Sequence, residues 1–99
     1  MKYTGIIGFG EEWGKVTDCI ITEKNITADI DLKEDGKGIM KLVSTDGKNF
    51  SGTFTYNVFS RGYISVECKL YSNDDARAMV GKWIENMTTY YFSVELEST

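Results

Sequence analysis

Phe50-Ser51-Gly52-Thr53-Phe54 sets a glycine between two phenylalanines on one face of an extended strand, because alternate side chains of a strand share a face. Met79-Val80-Gly81-Lys82-Trp83 repeats the arrangement, and Tyr3-Thr4-Gly5-Ile6-Ile7 carries a fainter version near the start. A glycine flanked in this way leaves a gap. The gap lets a strand bend sharply or cross its neighbour closely, as small barrels require, or it makes room for a ligand. Repetition along the chain favours architecture: replacing Gly52 with valine should cost stability whether or not a ligand exists.

The strand that holds the motif continues evenly, with Phe50, Gly52, Phe54, Tyr56 and Val58 on one face and Ser51, Thr53, Thr55 and Asn57 on the other. Asp46-Gly47 precedes it. Asp-Gly supplies the positive φ of a two-residue hairpin turn, so Asp46-Gly47 and Asp35-Gly36 delimit a strand from Lys37 to Thr45 and begin another at Lys48. After it, Ser60-Arg61-Gly62 reads as a short turn into a strand with Ile64, Val66, Cys68 and Leu70 inward and Tyr63 and Tyr71 on the other face.

Further out, Ile26, Ala28, Ile30 and Leu32 alternate with Thr27, Asp29, Asp31 and Lys33, the pattern of an antiparallel strand with one wet side. The first run, Lys2 to Phe9, puts Tyr3, Gly5, Ile7 and Phe9 together, and Gly14 to Glu23 is rich in strand formers. Between them lies Gly8-Phe9-Gly10-Glu11-Glu12-Trp13-Gly14. It resembles a kinase phosphate loop with one residue too many, in a chain far too short for a kinase; a hairpin connection with Trp13 either rimming a pocket or anchoring the loop is the simpler reading. The last run places Tyr90, Phe92, Val94 and Leu96 opposite Tyr91, Ser93, Glu95 and Glu97.

One segment carries two signals. Ala76, Met79, Val80, Trp83, Ile84 and Met87 recur at helical spacing behind a capping run, Asn73-Asp74-Asp75. Against a helix stands Gly81 at its middle; as a strand, Met79, Gly81 and Trp83 repeat the opening motif and Glu85-Asn86-Met87-Thr88 becomes a hairpin turn. The strand is favoured, with a short helical turn near residues 74–80 compatible with both signals. The expectation is an all-β fold: one domain over residues 1–99, an antiparallel up-and-down meander of about eight strands closing into a small barrel that hides its edges.

Composition bounds the function. The chain has 99 residues, 41% hydrophobic and 13% aromatic, which suits one folded domain with a modest core. Its net charge of −4 and scattered lysines argue against a nucleic-acid partner, since phosphate contacts need clustered Lys and Arg. No apolar run reaches membrane-spanning length and no signal-peptide core opens the chain, so the sequence reads as cytoplasmic with no membrane partner. Cys19 and Cys68 are expected as buried free thiols.

With these strands in place, Phe50-Ser51-Gly52-Thr53-Phe54 and Gly81-Lys82-Trp83 resemble motifs of the avidin-like and lipocalin-like meander barrels of the calycin group. Those families carry Gly-x-Trp and aromatic-x-Gly-Thr-aromatic patterns on successive strands. The resemblance covers two short motifs, and Gly-x-Trp lies in the first strand there but near the end here. It implies a barrel that holds a small ligand or binds a protein, and it transfers no ligand-binding residue to this chain.

The leading expectation is a non-enzymatic binding module. Phe50, Phe54, Tyr56, Trp83 and Tyr90 would line a ligand site around Gly52 and Gly81 with Trp13 at its rim, or the inward rings would simply fill the core. A second reading is an inhibitor, immunity or accessory protein that docks on a protein partner, or on its own copies as a homo-oligomer, through outward Phe59, Tyr63, Tyr71 and Tyr91. The duller account of those rings is cross-strand pairing. Catalysis ranks last. The chain has no His, and neither cysteine has an evident activating partner. Carboxylate pairs at Glu11 and Glu12, Asp29 and Asp31, or Asp74 and Asp75 are the residues a hydrolase would draw on, and no catalytic residue, metal ligand or cofactor is assigned.

Overall fold

Period-two alternation along the chain becomes eight antiparallel strands. The computed structural model describes residues 2–57 and 63–99, with Tyr63 described in its backbone only. The strands are β1 (Lys2–Phe9), β2 (Glu12–Ile21), β3 (Asn25–Asp31), β4 (Lys37–Ser44), β5 (Asn49–Tyr56), β6 (Tyr63–Asn73), β7 (Ala76–Glu85) and β8 (Thr88–Ser98). Each pairs with the next, and β8 returns to β1 with Tyr3 opposite Ser98 and Gly8 opposite Ser93, so the meander closes into a barrel. Closure leaves none of the eight described strands with an open edge to template association. The expectations for Val58, Phe59 and the Ser60-Arg61-Gly62 turn lie outside the described residues, as does the Tyr63 side chain.

The opening glycines are where neighbouring strands come closest. A Cβ on Gly52 would overlap the Lys41 carbonyl oxygen of β4 and come within 2.9 Å of Leu42 Cα. On Gly81 it would overlap the Glu67 carbonyl oxygen of β6 and sit 2.6 Å from Cys68 Cα, and Gly5 stands in the same relation to the Glu95 carbonyl of β8. Since the obstructing atoms are backbone, no rotamer change relieves them.

Inside, the inward set of every strand merges into one core running from Tyr3 and Leu96 through Ile7, Met40, Leu42, Met79 and Val94 to Phe54 and Trp83. At the end that holds both chain termini, the Arg77 guanidinium stacks 5.4 Å from the buried Tyr3 ring. Cys19 and Cys68 are buried and free, and burial pushes both thiols up to about 12, which leaves them protonated and unreactive at neutral pH.

Between residues 73 and 87 the chain forms a strand, β7, flanked by two turns, and no helix. Asp74 and Asp75 form the β6–β7 turn and β7 starts at Ala76, so the short helical turn near residues 74–80 is absent. The helical spacing has a plain cause: Met79 and Trp83 are buried on the inner face while Val80 and Ile84 are exposed on the outer one, so apolar residues occur on both sides of one strand.

The Asp-Gly turns also differ from expectation. Gly36 and Gly47 have φ of 109° and 77°, but the aspartates before them stay at negative φ and the loops are longer than two residues. A 3-10 turn at Lys33–Asp35 bridges β3 and β4. The β4–β5 loop is built on Asp46 instead. Its Oδ1 accepts from the Asn49 and Lys48 amides, both at 2.8 Å, and from Ser44 Oγ at 3.0 Å, while Oδ2 accepts from Asn49 Nδ2 at 2.8 Å. These bonds, led by the Asn49 amide, hold the carboxyl well below the usual carboxylate range. A depressed folded pKa adds stability that is complete above the unfolded value, about pH 4, and is lost as pH falls below it. Denaturant melts across acid pH should therefore show wild type losing stability below about pH 4 more steeply than Asp46→Asn. Parallel pH profiles would refute this role.

The two-residue turn with both φ positive occurs between β7 and β8, at Asn86 (52°) and Met87 (66°). Met87 is 98% exposed and contributes a side chain to nothing while holding a conformation that suits glycine. Met87→Gly should raise stability by about 1 kcal/mol, roughly 4–8 °C in a thermal melt. A lower melting temperature would contradict the turn assignment.

Candidate functional site

At the end opposite the termini, the barrel opens into a cleft of about 740 Å³. Its floor follows from strand parity. Aromatic residues occupy inward positions near the ends of β1, β5, β7 and β8, so Phe9, Tyr56, Trp83 and Tyr90 meet where the barrel ends. Trp83 is the hub. Its ring lies 4.7 Å from Phe54, 5.0 Å edge-on from Phe9 and 6.1 Å from Phe92, while Tyr56 stands edge-on to Phe54 at 5.0 Å. Edge and offset contacts of this kind add to area burial and fix ring orientation. The Trp83 indole N–H points out of the packed layer towards Glu85 Oε1 at 3.4 Å.

The walls come from turns. The two-residue β1–β2 turn carries Glu11, with Glu12 and Trp13 opening β2, and the β3–β4 connection contributes Leu32 and Asp35. Glu85, Asn86 and Thr88 complete the rim from the β7–β8 hairpin. Trp13 is 47% exposed, and the Lys33 ammonium sits over its ring, 3.2 Å from the centroid. Lys33 is held there by a left-handed backbone (φ 60°) and by its amide donating to Asp31 Oδ1 at 2.9 Å.

Among the residues expected to line a ligand site, Trp13, Tyr56, Trp83 and Tyr90 do line this cleft, and Phe54 packs directly beneath Trp83. Tyr90 is on the inward set but, at the barrel's mouth, is 48% exposed. Phe50, Gly52 and Gly81 are not part of it. Phe50 is buried deeper, opposite Ser44 and Cys68, and the two glycines mark strand crossings. Phe9, Leu32, Asp35, Glu85, Asn86 and Thr88 line the cleft without having been expected. Phe9 was within reach, since it shares the face of Tyr3 and Ile7 at a strand end.

Of the outward aromatics, Tyr71 and Tyr91 are exposed on neighbouring parts of the outer wall, with exposed Val80 on the intervening β7 between them. Asp29 is exposed on the outer face and Asp31 is engaged by the Lys33 amide. Among the described residues no group of three His, Cys, Asp or Glu is arranged to hold a metal ion, and no helix is long and apolar enough to cross a membrane. Comparison with protein-family models, with curated proteins and with solved structures finds nothing that matches this chain.

Proposed function

We propose that this protein is a non-enzymatic binding module that holds one small organic molecule in the cleft at the mouth of its barrel. The observation that carries the reading is the cleft itself: about 740 Å³, floored by packed aromatic rings and rimmed by polar turn residues. That volume falls within the range of small-molecule sites, and barrel mouths are a common place for them. The eight-stranded up-and-down closure is consistent with a calycin-like barrel. Because Trp13 and Trp83 are the only tryptophans in the chain and both line the cleft, selectively excited tryptophan fluorescence reports on this site. A small-molecule library followed by tryptophan fluorescence and melting temperature should yield compounds that shift both. A library that moves neither would sink the proposal.

A second reading has one specific observation behind it. Tyr71, Val80 and Tyr91 run diagonally over β6, β7 and β8 on the outer wall and are 49%, 51% and 71% exposed. Tyrosines flanking an apolar residue suit a protein interface, with a second copy of the chain as the simplest partner. Light scattering of wild type against Tyr71→Ser/Tyr91→Ser should show an oligomer reverting to monomer; monomer mass in both would remove the homo-oligomeric form of this reading.

A further inference from the structure

We infer that Met87, at the tip of the β7–β8 hairpin, is a site of reversible oxidation by hydroperoxides, where a sulfoxide forms and is removed while the barrel stays folded. This holds whether or not the cleft takes a ligand. Among the described residues sulfur is carried by Cys19, Met40, Cys68, Met79 and Met87, and all but the last are buried in the core. Met87 is 98% exposed. The two thiols, pushed up to about 12 by burial, offer no thiolate to a peroxide at neutral pH, and Cys68 Sγ lies 3.9 Å from Met79 Sδ inside the barrel. A thioether needs no deprotonation, so exposure decides which methionine reacts.

The backbone supplies a second observation. Met87 sits at φ 66° behind Asn86 at 52°, the left-handed pair of a two-residue hairpin turn, where glycine or asparagine is at ease and a bulky side chain is strained. Its side chain offsets none of that cost, because it buries nothing. A strained residue with no packing role points to a use outside the fold, and a solvated, polarisable thioether has a reaction that glycine lacks. The sulfur lone pair attacks one oxygen of hydrogen peroxide, the O–O bond breaks, and the proton moves to the departing oxygen to leave sulfoxide and water; sulfur gives up two electrons and the peroxide takes them. Methionine sulfoxide reductases reverse the step: two thiols become a disulfide and the oxygen leaves as water. In the core a sulfoxide would break apolar packing, whereas at Met87 the new oxygen stands in solvent.

The test treats native protein with graded hydrogen peroxide and maps its tryptic peptides by mass spectrometry. One oxygen should add at Met87 about a hundredfold or more faster than at Met40 or Met79, because buried methionines react only through rare opening of the barrel. In denaturant the three rates should converge. Met1, outside the described residues, is read on its own peptide and does not enter the comparison. Met87→Leu should lose the fast addition and keep the slow ones. Protein oxidised at Met87 should melt within about 4 °C of untreated protein, as a surface change does. The two stereospecific sulfoxide reductases with dithiothreitol should then restore the original mass. Oxidation of Met40 or Met79 as fast as Met87 in native buffer, unfolding on oxidation of Met87, or a sulfoxide that neither reductase removes would each overturn the inference.

Discussion

Replacing Gly52 with valine is expected to remove most of the protein's stability. The new Cβ would occupy the space of the Lys41 carbonyl oxygen and approach Leu42 Cα to 2.9 Å, so β4 and β5 would have to separate along a register that runs from Gly38 opposite Tyr56 to Ser44 opposite Phe50. Overpacking relieved by side chains costs about 1–3 kcal/mol, and here the obstacle is main chain, so a loss of about 3 kcal/mol or more is expected. At roughly 4–8 °C per kcal/mol for a domain of this size, the melting temperature should fall by well over ten degrees, on the order of a marginal domain's whole reserve. Gly8→Ala on β1 is the control. Its Cβ would meet nothing nearer than 3.9 Å, and it should be near neutral. Equal melting temperatures for Gly52→Val and wild type would refute the role given to the glycine-centred motif.

Trp83→Ala should have the next largest effect. Trp83 is 2% exposed and touches rings from β1, β5 and β8, so its removal strips the contacts that tie these strands together beneath the cleft. Truncating a buried tryptophan costs roughly 3–5 kcal/mol, through lost transfer energy and the cavity left behind. Chemical denaturation gives the value directly. Tyr90→Ala lines the same cleft but is half exposed, and it should cost about 1 kcal/mol or less. If Trp83→Ala proved as mild as Tyr90→Ala, the aromatic layer would not be the structural floor described above.

The strand pattern was legible because the barrel has a dry inside and a wet outside, which imposes period two on each strand. It was clearest at Ile26 to Leu32 and Phe50 to Tyr56. It blurred at Met79 to Ile84, where the outer face is also apolar at Val80 and Ile84. Turn chemistry was partly legible: Glu85-Asn86-Met87-Thr88 is the hairpin turn its spacing suggested, whereas Asp46 uses its side chain to organise a longer loop. The cleft was half legible. Its floor follows from parity, but which inward rings reach the mouth depends on strand stagger, and so Phe50 was grouped with Trp83 although it lies deeper. The acidic rim was hidden because Glu11, Asp35 and Glu85 are distant in sequence and meet only when β8 closes on β1.

The most direct measurement of the central claim is a titration of the isotopically labelled protein with a small molecule that shifts its tryptophan fluorescence, followed residue by residue in amide and indole correlation spectra. The account predicts saturable shifts concentrated on the Trp13 and Trp83 indoles and on the amides of Phe9, Glu12, Glu85 and Tyr90, with the outer-wall residues Tyr71, Val80 and Tyr91 unmoved. Saturable shifts confined to that outer wall, or none at the cleft, would contradict it.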